Sequence, residues 1–288
     1  MEISRQARAS ARKSKSIFGK HDAQIQEAGA PLRVQPDAQR SGTSLRLDEL
    51  LVSRGFFASR SRARDAVARG AVTVDGQPAK KPGQTVAASV AIAVDDPAQA
   101  YVSRAALKLI AGLDHFGFDP AGSHALDIGA STGGFTQVLL ERGAAHVVAI
   151  DVGHGQLVGR LRADPRVTCL EGLNARNLTS DDLGGRTPDF LVSDVSFISL
   201  RLALPNALDL AAPGTKGVFL VKPQFEAGRE AIGKGGLLKN SEDGPRMAEE
   251  LRLWLDSVPG WRALGICPSP LEGGDGNLEY LLGGVKDQ

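Results

Sequence analysis

Four side chains fit for proton chemistry lie in mostly apolar stretches far apart in the chain: Lys108 in YVSRAALKL, Asp194 in LVSDVSFISL, Lys222 in FLVKPQFEAG and Glu279 in GNLEYLL. Two cations and two carboxylates suit removal of a proton from a hydroxyl. A free lysine, with a pKa near 10.4, stays protonated at neutral pH, but burial and a second cation both disfavour the ammonium. Lys222 ends an apolar run and is placed for burial, with Lys108 as the second cation. Asp194 and Glu279 would orient the ammonium groups and the hydroxyl while opposing that shift. Motifs for other acceptors are missing: there is no Asn-Pro-Pro-Tyr type run for an exocyclic amine, and neither VTCLE nor GICPSP resembles the Pro-Cys motif of cytosine carbon-5 chemistry.

The stretch HALDIGASTGGFTQVLL, residues 124–140, supplies a ligand site. An apolar run ends in Asp127, turns through glycines and resumes in a helical pattern. A P-loop would need a Lys after the turn, and a dinucleotide fingerprint would need a second glycine that GASTGG lacks. Asp127 would also oppose a pyrophosphate. A cation that needs close backbone approach fits better, and S-adenosylmethionine is one, with an ammonium, a sulfonium and a ribose diol. Asp151, ending the next strand, is the expected diol acid. Asp127, Gly129, Ser131, Gly133, Gly134, Phe135 and Asp151 form the expected cofactor set, with Asp181 or Asp182 near the adenine side.

The elements that must position these residues follow from hydrophobic patterning. Strand-like runs at HALDIGA, HVVAIDV, RVTCLEG, DFLVSDVS, GVFLVKPQ, LGICPSP and LEYLLGG alternate with helical segments, which predicts an α/β, mostly parallel, doubly wound sheet. Ligands of such sheets sit beyond the carboxyl ends of the central strands, where this reading puts Asp127, Asp151, Asp194 and Lys222. Upstream, Leu47, Leu50 and Leu51 form one amphipathic stripe. Ala63, Ala66 and Val67 form a second after a Ser59 or Ser61 cap, and AVTVDGQPA alternates about an Asp75-Gly76 turn. Arg54, Arg60, Arg62, Arg64 and Arg69 crowd this helical pair without evident matching acids and are read as a phosphate-contacting surface. The expected organisation is a basic flexible tail over 1–43, a small α+β phosphate-contacting domain over 44–94, a linker over 95–101 and the catalytic domain over 102–288. QFEAGREAIGKGGLLKN, with Arg229, Lys234 and Lys239, reads as a flexible lid over RNA or as a loop without a role. The histidines lack metal-ligand spacing, and Phe135 and Phe197 read as core.

The formal charge of +1 hides an asymmetry, since residues 1–80 carry 15 Lys and Arg against 8 Asp and Glu, and the remainder 19 against 25. One end is thus suited to a polyanion. Cys169 and Cys267 are too few for a disulfide framework and wrongly spaced for zinc, no apolar run approaches a membrane span, and the start lacks a signal peptide's apolar core. A soluble cytoplasmic protein is expected, with no metal and no membrane partner.

RLDELL, SRSRARDAV and GAVTVDGQPAKKPGQ resemble the S4 RNA-binding domain, in that order. The catalytic part resembles the FtsJ-like, or RrmJ-like, methyltransferases, a Rossmann-like class I fold. That resemblance implies a Lys-Asp-Lys-Glu tetrad for ribose 2'-O-methylation, falling here on Lys108, Asp194, Lys222 and Glu279. DIGASTGG carries Ser131-Thr132 where many members have Ala-Pro, a difference of little weight if the contacts are backbone ones. Together with AIDVGHGQL, these motifs over about residues 44–285 are similar to the TlyA family, also called haemolysin A. The resemblance implies methylation of ribosomal RNA, on naked RNA or on a subunit, at a cytidine of 23S rRNA and in some members also of 16S rRNA. Three rival readings differ in class. An inactive ribosome-assembly factor would bind cofactor without turnover, a membrane-lytic protein would need an apolar or amphipathic segment that is not found, and a small-molecule methyltransferase would leave the arginines unexplained.

Overall fold

A computed structural model describes residues 32–34, 44–274 and 276–288. Most of the expected tail therefore lies outside the described residues. Within it, strand β1, Leu32–Val34, pairs antiparallel with β6, Ile92–Val94. The chain divides after Asp96 into two compact units.

The first unit holds helices α1, Leu47–Ser53, and α2, Arg60–Ala68. Ser59 is the cap of α2, its hydroxyl accepting from the N–H of Arg62. Strands β3, Val72–Val74, and β4, Gln77–Pro78, close the hairpin on Asp75 and Gly76, both with positive φ, as a tight two-residue turn requires. A four-stranded sheet runs β1-β6-β3-β4, and β2, Ser44–Arg46, pairs separately with β5, Thr85–Ala87. Leu47, Leu50, Leu51, Phe56, Phe57, Ala63, Ala66, Val67 and Val72 form the unit's own core, so both expected amphipathic stripes face inward.

In the second unit all seven expected strands occur: β7 His124–Ile128, β8 His146–Asp151, β9 Val167–Glu171, β10 Phe190–Ser193, β11 Lys216–Val221, β12 Trp261–Pro268 and β13 Tyr280–Lys286. Their order is β12-β13-β11-β10-β7-β8-β9, parallel throughout except for β13, antiparallel to both neighbours. Successive residues alternate between two cores. Ala125, Phe190, Val218 and Leu281 pack beneath helices α3, Ala106–Phe116, and α4, Gly134–Glu141. Leu126, Leu191, Phe219 and Leu282 pack beneath helices that include α5, Asp243–Ser257.

Two features of this layering bear on the site. Strand order reverses between β7 and β10, which opens a crevice beyond their carboxyl ends. Helix α3 lies unusually close to the sheet at Gly112, where a Cβ would come within 2.7 Å of Val218. A glycine in mid-helix is otherwise unfavourable by about 1 kcal/mol relative to alanine. Here it lets α3 settle onto β11, one turn after Lys108. No described helix is long and apolar enough to cross a membrane.

Candidate active site

A cavity of about 570 Å³ lies at the topological switch point. Gly129, Ser131, Asp151 and Asp194 line it, and among the described residues Asp151 and Asp194 are the ionisable ones of its lining. A wall with two acids and no cation suits a cationic ligand and opposes a phosphate. Gly129 has φ of +85°, and a Cβ there would meet the carbonyl of Asp194 at 3.0 Å. The turn after β7 and the end of β10 thus touch through backbone, and any side chain would force them apart.

Asp151 accepts from the N–H groups of Ser131 (2.8 Å) and Gly153 (2.7 Å). Each oxygen is held by one donor, which leaves acceptor capacity for a diol. The neighbouring loop is fixed by Glu171, which pairs with Arg162 at 2.7 Å and accepts from the N–H groups of Gly155, Gln156 and Leu157. Arg162 first, then these amides, bring its carboxyl down to about 2. That loop carries Val152 and Gln156 to the cavity wall.

Asp127 lies beneath the turn and is wholly buried. Its Oδ2 accepts from the Thr136 hydroxyl at 2.6 Å, while Oδ1 has no hydrogen-bond partner. Burial raises its pKa to about 7, Thr136 opposing and the Asp194 and Asp151 charges reinforcing the shift. An orphaned buried carboxyl oxygen beside two further carboxylates fits a cationic cofactor.

The remaining members of the expected cofactor set depart from the wall. Gly133 caps α4, where a Cβ would collide with Leu161 and Leu157. Gly134 packs against Ser103, and the Phe135 ring is buried in the core. These three shape the turn and its packing instead of lining the cavity. Asp182 caps its own turn through Thr179 and, like Asp181, is not on the wall. Leu173, Asn174 and Ala175 occupy that side, just past β9. The carboxyl-end rule pointed there, but no residue type singled them out.

The tetrad residues stand as two ion pairs. Lys108 on α3, 5% exposed, donates to Glu279, which immediately precedes β13 and is 4% exposed. Burial raises the pKa of Glu279, with Lys108 and then Lys222 opposing. Lys222, following β11, lies 2.6 Å from Asp194 and donates to the Ser196 hydroxyl at 2.7 Å. Its side chain is 11% exposed. Burial is therefore present as expected, and each lysine has a carboxylate partner.

Phe197 corrects its assignment to the core. It is 89% exposed, has φ of +64°, lines the cavity and packs against Phe225 with ring centroids 5.0 Å apart. The segment that carries it is tied down by Glu226, which accepts from the Ser199 hydroxyl (2.5 Å) and the Leu200 N–H (2.8 Å).

The expected lid is a folded turn among the described residues. Ile232 bridges Leu238, and the buried Asn277 accepts from the Leu238 N–H and donates to the Gly236 carbonyl. Lys239 donates to the Glu230 carbonyl, and Lys234 is exposed. The Arg229 side chain lies outside the described residues.

The arginine cluster is also corrected in part, because acids do match it. Arg60 pairs with Asp48 (3.1 Å) and Glu49 (2.9 Å), and Arg69 pairs with Asp96 at 2.7 Å. Arg54 donates to the carbonyls of Val90 (2.6 Å) and Ala88 (2.5 Å). Arg62 is half-buried on α2, while Arg64, Lys80 and Lys81 are exposed.

Residues 101–286 match the family model for FtsJ-like methyltransferases, and residues 45–92 match the S4 domain. The chain is 47% identical over 238 residues to the 16S/23S rRNA (cytidine-2'-O)-methyltransferase TlyA of Mycobacterium tuberculosis, covering 82% of this chain and 88% of that one. It is 38% identical to hemolysin A of Brachyspira hyodysenteriae, with 82% and 98% covered. A solved hemolysin-like structure from Streptococcus thermophilus superposes with a TM-score of 0.66 at 38% identity, over 88% of this chain and 90% of that one. The switch-point cavity, the acidic wall and the two Lys–carboxylate pairs sit within the matched region: the chain belongs to the TlyA family, FtsJ-like methyltransferases that carry an S4 domain.

Proposed function

We propose that this protein methylates a cytidine ribose 2'-oxygen in ribosomal RNA, in 23S rRNA and also in 16S rRNA, using S-adenosylmethionine. The observation that carries the reading is the pair of Lys–carboxylate contacts, Lys222 with Asp194 and Lys108 with Glu279, with Asp194 itself on the cavity wall. The relative from Mycobacterium tuberculosis bears the name of this activity on both RNAs.

When bound, the cofactor supplies a methyl group on a positively charged sulfur. Asp151 would hold its diol, the Gly129 turn would admit it against backbone, and Asp127, buried beneath the turn, would add to the negative potential of the site without touching it. Lys222, as the amine, accepts the proton of the ribose hydroxyl, and Asp194 stabilises the ammonium that results. Lys108 and Glu279 complete the polar surround. General-base help of this kind is worth roughly 100- to 10,000-fold, and alignment supplies much of the rest. Phe197, a ring exposed at the cavity mouth, offers its face to an unstacked base, an interaction worth about 1–3 kcal/mol. The S4 unit contacts RNA phosphates through the exposed Arg64, Lys80 and Lys81.

The test is incubation with methyl-labelled cofactor and separated, unmethylated ribosomal subunits, followed by alkaline digestion. Label in an alkali-resistant dinucleotide, lost in Lys222→Ala, is the expected result and names the subunit. Absence of label on both subunits, with cofactor binding intact, would overturn the proposal in favour of a non-catalytic ribosome-assembly factor.

A further inference from the structure

We infer that Ser196 is a positioning residue that aims the Nζ of Lys222 at the acceptor hydroxyl; the inference rests on Lys222 acting as the base, as proposed above. Nζ lies 2.6 Å from Asp194 Oδ1 and donates to Ser196 Oγ at 2.7 Å. Both partners line the cavity, and little of the lysine side chain meets solvent.

Valence limits where the lone pair of Nζ can point. An ammonium has three N–H donors, and the neutral amine has two and a lone pair. The Asp194 contact is an ion pair without hydrogen-bond geometry, so Asp194 alone does not stop rotation about the Cε–Nζ bond. The Ser196 hydroxyl takes one N–H of the amine and stops that rotation. Two tetrahedral directions then remain, and the negative charge of Asp194 draws the second N–H towards itself, which leaves the other direction to the lone pair. In the step itself the acceptor O–H bond breaks, its proton bonds to Nζ, and the oxygen's electron pair forms the bond to the methyl carbon. The sulfur–carbon pair leaves on sulfur, and the proton later passes to solvent. Ser196 neither gains nor loses a proton.

Local structure restrains the backbone that carries Ser196, an exposed residue. Ser196 lies between the end of β10 and Ser199, the cap of the short helix Leu200–Ala203. Glu226 holds Ser199 and Leu200 on one side, and on the other the Asp194 N–H donates to the Ile128 carbonyl at 3.1 Å. The segment between these clamps is short.

The experiment compares full-length wild type, Ser196→Ala, Ser196→Thr and Lys222→Ala on unmethylated ribosomal subunits, with cofactor affinity measured by calorimetry. Ser196→Ala is expected to lower kcat roughly 10-fold or more, in line with the cost of a misaimed reacting group, with cofactor Kd and RNA KM near wild type. Ser196→Thr, which keeps the hydroxyl, should recover most of the loss. Should the alanine variant fail to bind cofactor, Ser196→Cys, similar in size but a weak acceptor, carries the same expectation. Wild-type kcat in Ser196→Ala beside an inactive Lys222→Ala would overturn the inference. So would a raised RNA KM at unchanged kcat, which would make Ser196 an RNA contact. An active Lys222→Ala would instead remove the base reading itself, and with it the inference.

Discussion

At the scale of single residues, burial dominates. Asp127 has its pKa raised to about 7 by burial, against an ordinary value of 3.8. The folded state therefore binds the extra proton between those two values, so the stability associated with this group is full below pH 4 and is lost as pH rises towards 7. At about 1.4 kcal/mol per pKa unit the loss is on the order of 4 kcal/mol. Asp127→Asn, which keeps an acceptor for Thr136, should be more stable than wild type at pH 8 and nearly equal to it at pH 4. Urea denaturation at the two pH values reads the difference, and a pH-independent gap would contradict the assignment. Lys108 and Glu279 make the complementary case. Lys108→Met leaves a buried carboxylate unpaired and should cost about 3–5 kcal/mol, whereas adding Glu279→Leu should restore most of that. Both variants should lack methyl transfer, so stability and activity separate cleanly.

Elements were legible wherever patterning alone fixed them. The central strands β7, β10 and β11 are apolar runs closed by a turn, and the acids at strand ends fall where the carboxyl-end rule puts them. The arginine surface was less legible, because its partners are distant in sequence: Asp96 meets Arg69 from beyond the whole small sheet, and Asp48 reaches Arg60 across the turn between two helices. Phe197 was misread for a different reason. An aromatic in SFISL has a core residue's composition, and only its left-handed backbone swings it outward. The resulting division of labour is testable. Arg69→Ala should destabilise the small unit by about 1–3 kcal/mol, since it removes a charged partner of Asp96, whose side chain is only 3% exposed. Arg64→Ala with Lys80→Ala and Lys81→Ala should leave stability within about 0.5 kcal/mol, weaken RNA binding and flatten its salt dependence by roughly 0.7–0.9 per lost phosphate contact. Equal salt slopes for the two variants would contradict the division.

For the molecule as a whole, each unit has its own core, one confined to residues 45–94 and the others to residues 101–282. Cofactor chemistry and the S4 cations are therefore encoded in separately packed pieces. A chain of residues 97–288 should fold and bind cofactor with an affinity within about twofold of the full protein, because every cavity-lining residue lies inside it. Its affinity for ribosomal RNA should fall with a shallower salt slope. Calorimetry and salt titration check the two halves of this expectation, and loss of cofactor binding in the shorter chain would sink it.

Phe197 carries a consequence for how such a protein evolves. A bulky residue held at φ of +64° with its ring in water is unfavourable for the fold twice over, by on the order of 1 kcal/mol for the backbone alone. Selection for heat tolerance without selection for methylation should therefore recover Phe197→Gly early, a change that relaxes the chain and discards the base platform proposed above. The position marks a place where thermostability and turnover are traded against each other, and its retention in a lineage would report continued use of the RNA.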